Sequence, residues 1–492
     1  MTDALRSLGS VGDVLRSAGL LLEARGAEDV AVRGVCQDSR AAEPGDLFLA
    51  WRGTAVDGHD FVADARARGA VATVVERPLD LDLPQLVVND GRRAAAITAS
   101  FVLGSPADRL VCVGITGTNG KTTTALLVRH LLAPTMRTAA VGTLGIVDDG
   151  GVREGTESLT TPGPVQLTEH LGRLVEEGFE AAVLEASSHA LEQKRLDGMG
   201  FDVAVFTNLT QDHLDYHGHL AAYREAKARL VELVHADGTV ALNGDEPAWE
   251  GLHAGGRRVL RFGLHPEAEL RAESLELGPS GSDFTLVLGA ERRRVRLPLV
   301  GRYNVENALA AAAAATSLGR PLDEIARRLE RAPQVPGRLE TVVTDPFTVL
   351  IDFAHTPAAL EGMLAAVRPL VDGRLIVVFG AGGDRDRTKR RPMAEAVARF
   401  ADLIVLTSDN PRTEDPERIL DDLEAGLGGQ PFERLADRER AIRRALELAR
   451  PGDSVVLAGK GHETYQVVGA EKRPFDERAV VHAALDAPQG MR

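Results

Sequence analysis

At 492 residues, with 44% apolar residues, 4% aromatic residues and two cysteines, the chain is long enough for about three globular domains. It is too poor in cysteine for a disulfide framework. Its formal net charge of −15 makes nucleic acid and anionic membranes poor partners overall, so any anionic substrate needs a local basic cluster. No apolar run is long enough to span a bilayer, and the N-terminus lacks a signal-like apolar core. The expectation is a cytoplasmic protein with Cys36 and Cys112 as buried free thiols.

Residues 1–107 alternate short apolar runs with polar helical ones. Residues 71–76 and 85–89 read as strands, and 61–68 and 92–103 as helices. Asp38-Ser39-Arg40 follows a strand-like run, and its spacing reads as a turn serine with an exposed arginine. Gly104-Ser105-Pro106 closes this segment.

A second α/β segment, 108–335, opens with an apolar run, 110–115. The stretch Gly117-Thr118-Asn119-Gly120-Lys121-Thr122-Thr123 follows, and then an amphipathic run, 125–132. Strand, glycine turn and helix form a phosphate cradle: glycines let backbone N–H groups converge on an anion, and the helix presents the positive end of its dipole. Lys121 is placed to reach terminal phosphates and Thr122 to hold Mg²⁺. The strict pattern wants glycine five positions before Gly120, where this chain has Ile115. Later strand-like runs end in Glu185-Ala186-Ser187-Ser188-His189 and in Asn208, with Asp212, His213, Asp215 and His217 soon after. Ligands in open parallel sheets bind beyond the carboxyl ends of strands, so Glu185 and His213 are candidate Mg²⁺ ligands, and the four groups after Asn208 are expected to converge. Lys227 lies on an amphipathic helix, 223–234, and reads as a surface lysine. An alanine-rich helix follows from Gly301, with Asn304 and Asn307 as caps or nucleotide-facing groups.

The third segment, 336–492, has strand-like runs at 348–351, 375–379, 403–407 and 454–457. They end in Asp352-Phe353-Ala354-His355, a glycine-rich turn from Gly380, Asp409-Asn410-Pro411-Arg412 and Gly459-Lys460-Gly461-His462-Glu463. Arg385, Arg387, Lys389, Arg390 and Arg391 together suggest an anion-binding face.

These residues together resemble the Mur ligase family, ATP-dependent amide-forming enzymes of peptidoglycan precursor synthesis. The similarity covers the whole chain in the family's domain order. Thr116 through Thr123 matches that family's form of the phosphate loop. Asn208 through His217, Asn304 with Asn307, Pro336-Gly337-Arg338 and Asp352-Phe353-Ala354-His355 match its other motifs, with Phe353 where the family usually has tyrosine. The resemblance implies an α/β protein of three domains: an N-terminal UDP-substrate domain, a central P-loop ATPase-like domain on a parallel sheet and a C-terminal Rossmann-like domain for the amino acid. It implies ATP and Mg²⁺ as cofactors. Asp409-Asn410-Pro411-Arg412 looks like the run found in members that use diaminopimelate, so a UDP-N-acetylmuramoyl-dipeptide and diaminopimelate are the implied partners of a monomer.

By the same resemblance, Ser39, Thr160, Thr161, Ser187, Gln193 and Arg195 would hold the UDP-dipeptide. Thr122, Glu185 and His213 would hold metal, and Lys227 would be carbamylated to support a second ion. Asn304, Arg338, Asp352 and His355 would approach the nucleotide. Arg390, Asp409, Asn410, Pro411, Arg412, Gly459 and Glu463 would bind the amino acid. A lysine-adding relative, a folylpolyglutamate synthase-like ligase and a nucleotide-gated binding protein without chemistry remain as alternatives.

Overall fold

The computed structural model describes residues 5–53, 56–153 and 159–486. Contacts divide the chain into two units, 1–271 with 287–291 and 306–325, and 272–286 with 292–305 and 326–492.

The first unit begins with a five-stranded sheet in the order Leu21–Arg25, Gln85–Val88, Ala72–Val75, Asp46–Leu49 and Gly34–Cys36. Only the Leu21–Arg25 edge is antiparallel. Four buried residues in each of Ala72–Val75 and Gln85–Val88 reflect cover on both faces, as parallel strands require. The helix Gly91–Val102 starts at Asp90, whose side chain accepts the Arg93 N–H, and buries an alanine-rich face.

The central sheet of this unit is parallel in the order Thr138–Gly142, Ala181–Glu185, Val111–Thr116, Phe201–Phe206, Val234–Asn243 and Arg258–Gly263. The helix Pro164–Glu176, with proline in its first turn, packs Leu167, Leu171 and Leu174 into the core beside this sheet. Strands Leu270–Gly278, Gly281–Leu288 and Glu291–Leu297 come next in the chain, most of them in the second unit, a β-rich stretch absent from the sequence expectation.

The second unit is built on a six-stranded sheet in the order Glu340–Val343, Thr348–Asp352, Ser454–Ala458, Leu375–Phe379, Leu403–Leu406 and Phe432–Arg434, with only the Glu340–Val343 edge antiparallel. Its helices start on side-chain caps: Thr356 before Pro357–Val367, Asp415 before Pro416–Glu424 and Asp437 before Arg438–Leu448. Each cap satisfies one otherwise orphaned N–H. The three α/β sheets agree with the expected fold class.

Both cysteines are free and buried, as expected. Burial is the main force pushing the Cys36 thiol up to about 12, with Asp46 and Asp38 adding to it. Burial likewise raises Cys112. Among the described residues, no helix is long and apolar enough to cross a membrane.

Candidate active site

The Val111–Thr116 strand runs into Gly117, and the helix begins at Lys121 rather than at the apolar run from 125. Gly117 and Gly120 have φ of +148° and +85°, backbone that glycine adopts freely. A methyl group on Gly120 would collide with Asn307 Oδ1, and one on Gly117 with Thr207 Oγ1. The flanking strands end at the same level, with Glu185 in register with Ile115 and Phe206 with Thr116. Residues after those strands therefore clamp the loop. Asn119 N–H donates to Asn208 Oδ1 at 2.9 Å, Thr207 Oγ1 donates to the Asn119 carbonyl at 2.7 Å, and Thr118 N–H donates to the Asn208 carbonyl at 2.8 Å. Thr122 is buried beneath the loop, at 6% exposure.

Two amines meet at one loop carbonyl. Lys121 Nζ donates to Gly117 O at 3.0 Å and Thr118 O at 2.9 Å, and Lys227 Nζ donates to Gly117 O at 2.7 Å. Lys227 sits on the helix Leu220–Ala228 with 1% exposure, its Nζ 4.4 Å from the centroid of the Tyr223 ring. It is not a surface lysine. Burial, reinforced by the charge of Lys121, pushes its amine well below the ordinary 10.5. Tyr223 in turn donates its hydroxyl to Thr118 Oγ1 at 3.3 Å.

Glu185 is 2% exposed at the end of its strand. Thr143 holds both carboxylate oxygens, through its N–H at 2.9 Å and its hydroxyl at 3.1 Å, and a side chain at Gly142 would strike the carboxylate. The Thr143 hydroxyl lies 3.2 Å from that of Thr160. Thr161 Oγ1 donates to the Glu185 carbonyl at 2.6 Å and accepts the Ser187 N–H at 3.1 Å, while Arg195 donates to the Thr161 carbonyl at 2.8 Å and to Gln193 Oε1 at 2.7 Å. Thr160, Thr161, Ser187, Gln193 and Arg195 thus form one polar patch beside Glu185. Ser39 is buried, while Arg40 is exposed and paired with Asp38 at 2.6 Å. A methyl on Gly163 would come 2.9 Å from Gln37 Nε2, so this corner abuts the Thr161 loop.

Of the groups after the Phe201–Phe206 strand, His213 and His217 both pack against the His189 and Tyr223 rings. Among the described residues, no group of three or more His, Cys, Asp or Glu is placed to hold a metal. The Asp215 side chain is not among those described. His213, at φ +52°, precedes the helix Leu214–His217 and lies 3.6 Å from Asp212. Its ring packs 4.9 Å from His189 and 6.1 Å from Tyr223, and His217 Nε2 is 3.0 Å from Ser188 Oγ.

In the second unit, Asp352 ends its strand and accepts the Ala354 and Leu339 N–H groups, each at 2.8 Å. Burial raises its carboxyl above the ordinary carboxylate range against the opposing pull of Arg338. The Arg338 guanidinium stacks 4.8 Å over the Phe353 ring, and the His355 and His462 rings lie 4.6 and 4.9 Å from it. Asn304, 1% exposed, donates to the Val300 carbonyl at 2.8 Å.

The parallel strands bring Gly380, Asp409 and Gly459 to one sheet end. A methyl on Gly459 would come 2.7 Å from Asp409 Oδ2. Asp409 and Asn410 are each 6% exposed. Arg412, at φ +51°, donates to the Gly383 carbonyl at 2.8 Å, and Arg390 donates to the adjacent Gly382 carbonyl at 3.3 Å. A methyl on Gly383 would strike the Pro411 carbonyl, so Pro411 fixes how closely these two loops approach. Three members of the basic cluster are paired with acids. Arg390, 1% exposed, pairs with Glu414 at 3.0 Å and Asp422 at 2.9 Å; Arg387 pairs with Glu414 at 2.7 Å and Arg391 with Glu395 at 2.8 Å. Arg390 is the first cause holding Glu414 down to about 2.

Thr143, Tyr223 and Lys460 also belong to these sites, and residue type alone did not mark them. Asn307, read from the sequence as a cap or nucleotide-facing group, lies against Gly120 of the phosphate loop.

Three family models match the chain: the Mur ligase family catalytic domain over residues 31–104, the Mur ligase middle domain over 115–315, and the Mur ligase glutamate ligase domain over 337–461. A UDP-N-acetylmuramoyl-L-alanyl-D-glutamate–2,6-diaminopimelate ligase of Geobacillus thermodenitrificans is 45% identical over 462 residues, covering 91% of this chain and 94% of the relative. The like-named protein of Synechococcus elongatus is 46% identical over 474 residues, covering 93% and 94%. A solved structure carrying the same ligase name is 34% identical with a TM-score of 0.73, covering 98% of this chain and 99% of the other.

Proposed function

The chain belongs to the Mur ligase family, and from that premise we propose that it joins 2,6-diaminopimelate to UDP-N-acetylmuramoyl-L-alanyl-D-glutamate with conversion of ATP to ADP, in the assembly of peptidoglycan precursors. The observation that carries this reading is the alignment of the phosphate loop, Glu185 and Lys227 at one end of the central sheet, in a chain 45% identical along its length to a relative named for that reaction.

Amide formation from a carboxylate and an amine is uphill in water, so the carboxylate has to be activated. The γ-phosphoryl group of ATP passes to the D-glutamyl γ-carboxylate, giving an acyl phosphate. The amine of diaminopimelate then attacks the acyl carbon, and inorganic phosphate leaves from the tetrahedral adduct. Lys121 and the N–H groups of the phosphate loop orient the nucleotide and offset charge on the transferring oxygens. Asn307 supports the loop from beneath. Asp352, Arg338, Asn304 and His355 address the nucleotide, with the Arg338–Phe353 stack as a flat platform. Ser39 and the Thr160, Thr161, Ser187, Gln193 and Arg195 patch hold the UDP-dipeptide.

The donors fit Mg²⁺: Thr122, Glu185 and His213 offer two oxygens and one imidazole, and an ion that keeps waters and phosphate oxygens needs no larger protein cage. When bound, Mg²⁺ supplies Lewis-acid neutralisation of the phosphoryl oxygens. Burial and the charge of Lys121 favour, at Lys227, the neutral amine that carbamylation requires. Its nitrogen adds to carbon dioxide, a proton leaves, and the resulting carbamate is an anionic oxygen donor beside Gly117. At the other end of the reaction, Arg412 and Arg390 meet the Gly382–Gly383 loop, where Arg412 grips the distal carboxylate that lysine lacks, and Asp409 and Glu463 receive an ammonium. The working species is a monomer in the cytoplasm.

The test is ADP release by purified protein given ATP, the UDP-dipeptide and a panel of amino acids, with oxygen-18 in the γ-carboxylate. Release should require both acceptor and diaminopimelate, and label should appear in inorganic phosphate. Release without the UDP-dipeptide, preference for lysine, or label in AMP would each overturn the reading.

A further inference from the structure

Lys460 takes no part in the steps above, yet it is among the most deeply buried charged residues of the chain. It follows the Ser454–Ala458 strand between Gly459 and Gly461, at φ of +117° and +56°. A methyl on Gly461 would come 2.7 Å from Phe353 Cβ, so backbone packs tightly on both sides and the side chain between turns inward. Lys460 is 0% exposed. A buried ammonium is unfavourable unless its donors are satisfied, and here they fall on two residues of the proposed amino-acid site. Nζ donates to Asn410 Oδ1 at 3.2 Å and to Glu463 Oε2 at 2.9 Å.

These bonds fix the orientation of two side chains. Asn410 Oδ1 also accepts the Val467 N–H at 2.9 Å. Both groups facing that atom are donors, so it must be the amide oxygen. The Asn410 amino group is thereby directed at Glu463 Oε2, to which it donates at 2.9 Å. Glu463 Oε2 thus carries two donors. Its other oxygen, Oε1, is hydrogen-bonded among the described residues by the Tyr465 hydroxyl alone, at 3.5 Å. Burial works to raise the Glu463 carboxyl, but Lys460, Asn410 and His462 together hold it below its ordinary value. The result is a carboxylate locked at one oxygen and open at the other.

We infer that Lys460 is a positioning and specificity-determining residue: through Asn410 and Glu463 it presents Glu463 Oε1 as the acceptor for an ammonium group of the incoming amino acid. The inference rests on the functional reading above, which puts the amino acid at this sheet end. Without the ammonium at its back, Asn410 is free to flip, Glu463 loses its fixed rotamer, and the substrate ammonium meets a mobile acceptor.

The experiment measures KM for each of the three substrates, with kcat and melting temperature, in wild type, Lys460→Met and Lys460→Arg. Lys460→Met is expected to raise the KM for diaminopimelate roughly 10- to 100-fold and leave the KM for ATP and for the UDP-dipeptide within about twofold. Lys460→Arg, which keeps the charge, should fall between. A lysine that only supports the fold would lower the active fraction, and so the apparent kcat, with every KM unchanged; that result overturns the inference, as does an equal rise in all three KM values. Should Lys460→Met not fold, Lys460→Gln serves the same comparison. Failure of wild type to use diaminopimelate at all would overturn the functional reading and this inference with it.

Discussion

The two ends of the proposed reaction hold their cations differently. At the phosphate loop, Lys121 and Lys227 both donate to the Gly117 carbonyl, and the pull of Asp212 on Lys227 is outweighed by burial and the charge of Lys121. In the second unit, Arg390 and Lys460 rest on carboxylates, Glu414 and Glu463, while Arg412 rests on the carbonyls of Gly383 and Asn410. A carbonyl is a neutral acceptor, so a cation that leaves it for a phosphate or a carboxylate gains charge pairing and abandons no buried anion. A cation that leaves a buried carboxylate abandons one, at about 3–5 kcal/mol. Lysines and arginines on carbonyls are therefore positioned for ligand or chemistry, and those on carboxylates shape the site around them.

The largest effect should come from Lys227. Lys227→Ala is expected to lower ADP release by roughly 10³-fold or more, with partial recovery on adding a small carboxylate such as formate. Full activity in the variant would break the comparison at its first term. Arg390→Met should behave as a stability variant, losing about 3–5 kcal/mol in chemical denaturation, with much of it regained when Glu414→Gln is added. Arg412→Ala should reduce kcat/KM for diaminopimelate by about 2–4 kcal/mol with little change for lysine. If Arg412→Ala costs stability instead and Arg390→Met does not, the assignment of roles is inverted.

A smaller effect sharpens the same contrast through pH. Because the folded chain holds Lys227 well below 10.5, between that lowered value and 10.5 the unfolded chain binds one proton more at this site. Stability from this group therefore rises with pH across the window, by up to about 1.4 kcal/mol per pH unit. Lys227→Met should flatten the slope in denaturation measured in carbon-dioxide-free buffer; an unchanged slope would mean that Lys227 is charged in the fold. The smallest effect is expected from Phe353→Tyr, which keeps the ring against Arg338. A change within about 0.5 kcal/mol in stability and turnover would confirm that the stack and not a hydroxyl matters there.

Much of the phosphate loop was legible because its chemistry is local: glycines, a lysine and threonines in seven consecutive positions. The start of its helix was misjudged because apolar periodicity marks where a helix buries its face, and Lys121 through Thr124 begin the helix against the loop. Lys227 was illegible for the opposite reason. Its neighbours Arg224, Glu225 and Arg229 read as a solvated face, and only the docking of that helix onto Gly117 makes the position interior. Within the basic run from Arg385 to Arg391, the pairing of Arg387 and Arg390 was illegible because their partners Glu414 and Asp422 come after another strand. Thr143 and Lys460 are common residue types whose importance lies wholly in what they touch. Residues 258–297 lacked a motif, and their strands went unread.

The two buried cysteines give the chain a practical property. With the Cys36 thiol held near 12 and Cys112 at 0% exposure, almost no thiolate is available to maleimide or iodoacetamide at neutral pH. The wild-type sequence is already a silent background for labelling. A cysteine introduced at Leu22, 65% exposed in the first unit, and another at exposed Glu471 in the second would carry a dye pair without removing any native residue of the core. Energy transfer between them would then follow the two units through a catalytic cycle in the unmodified site.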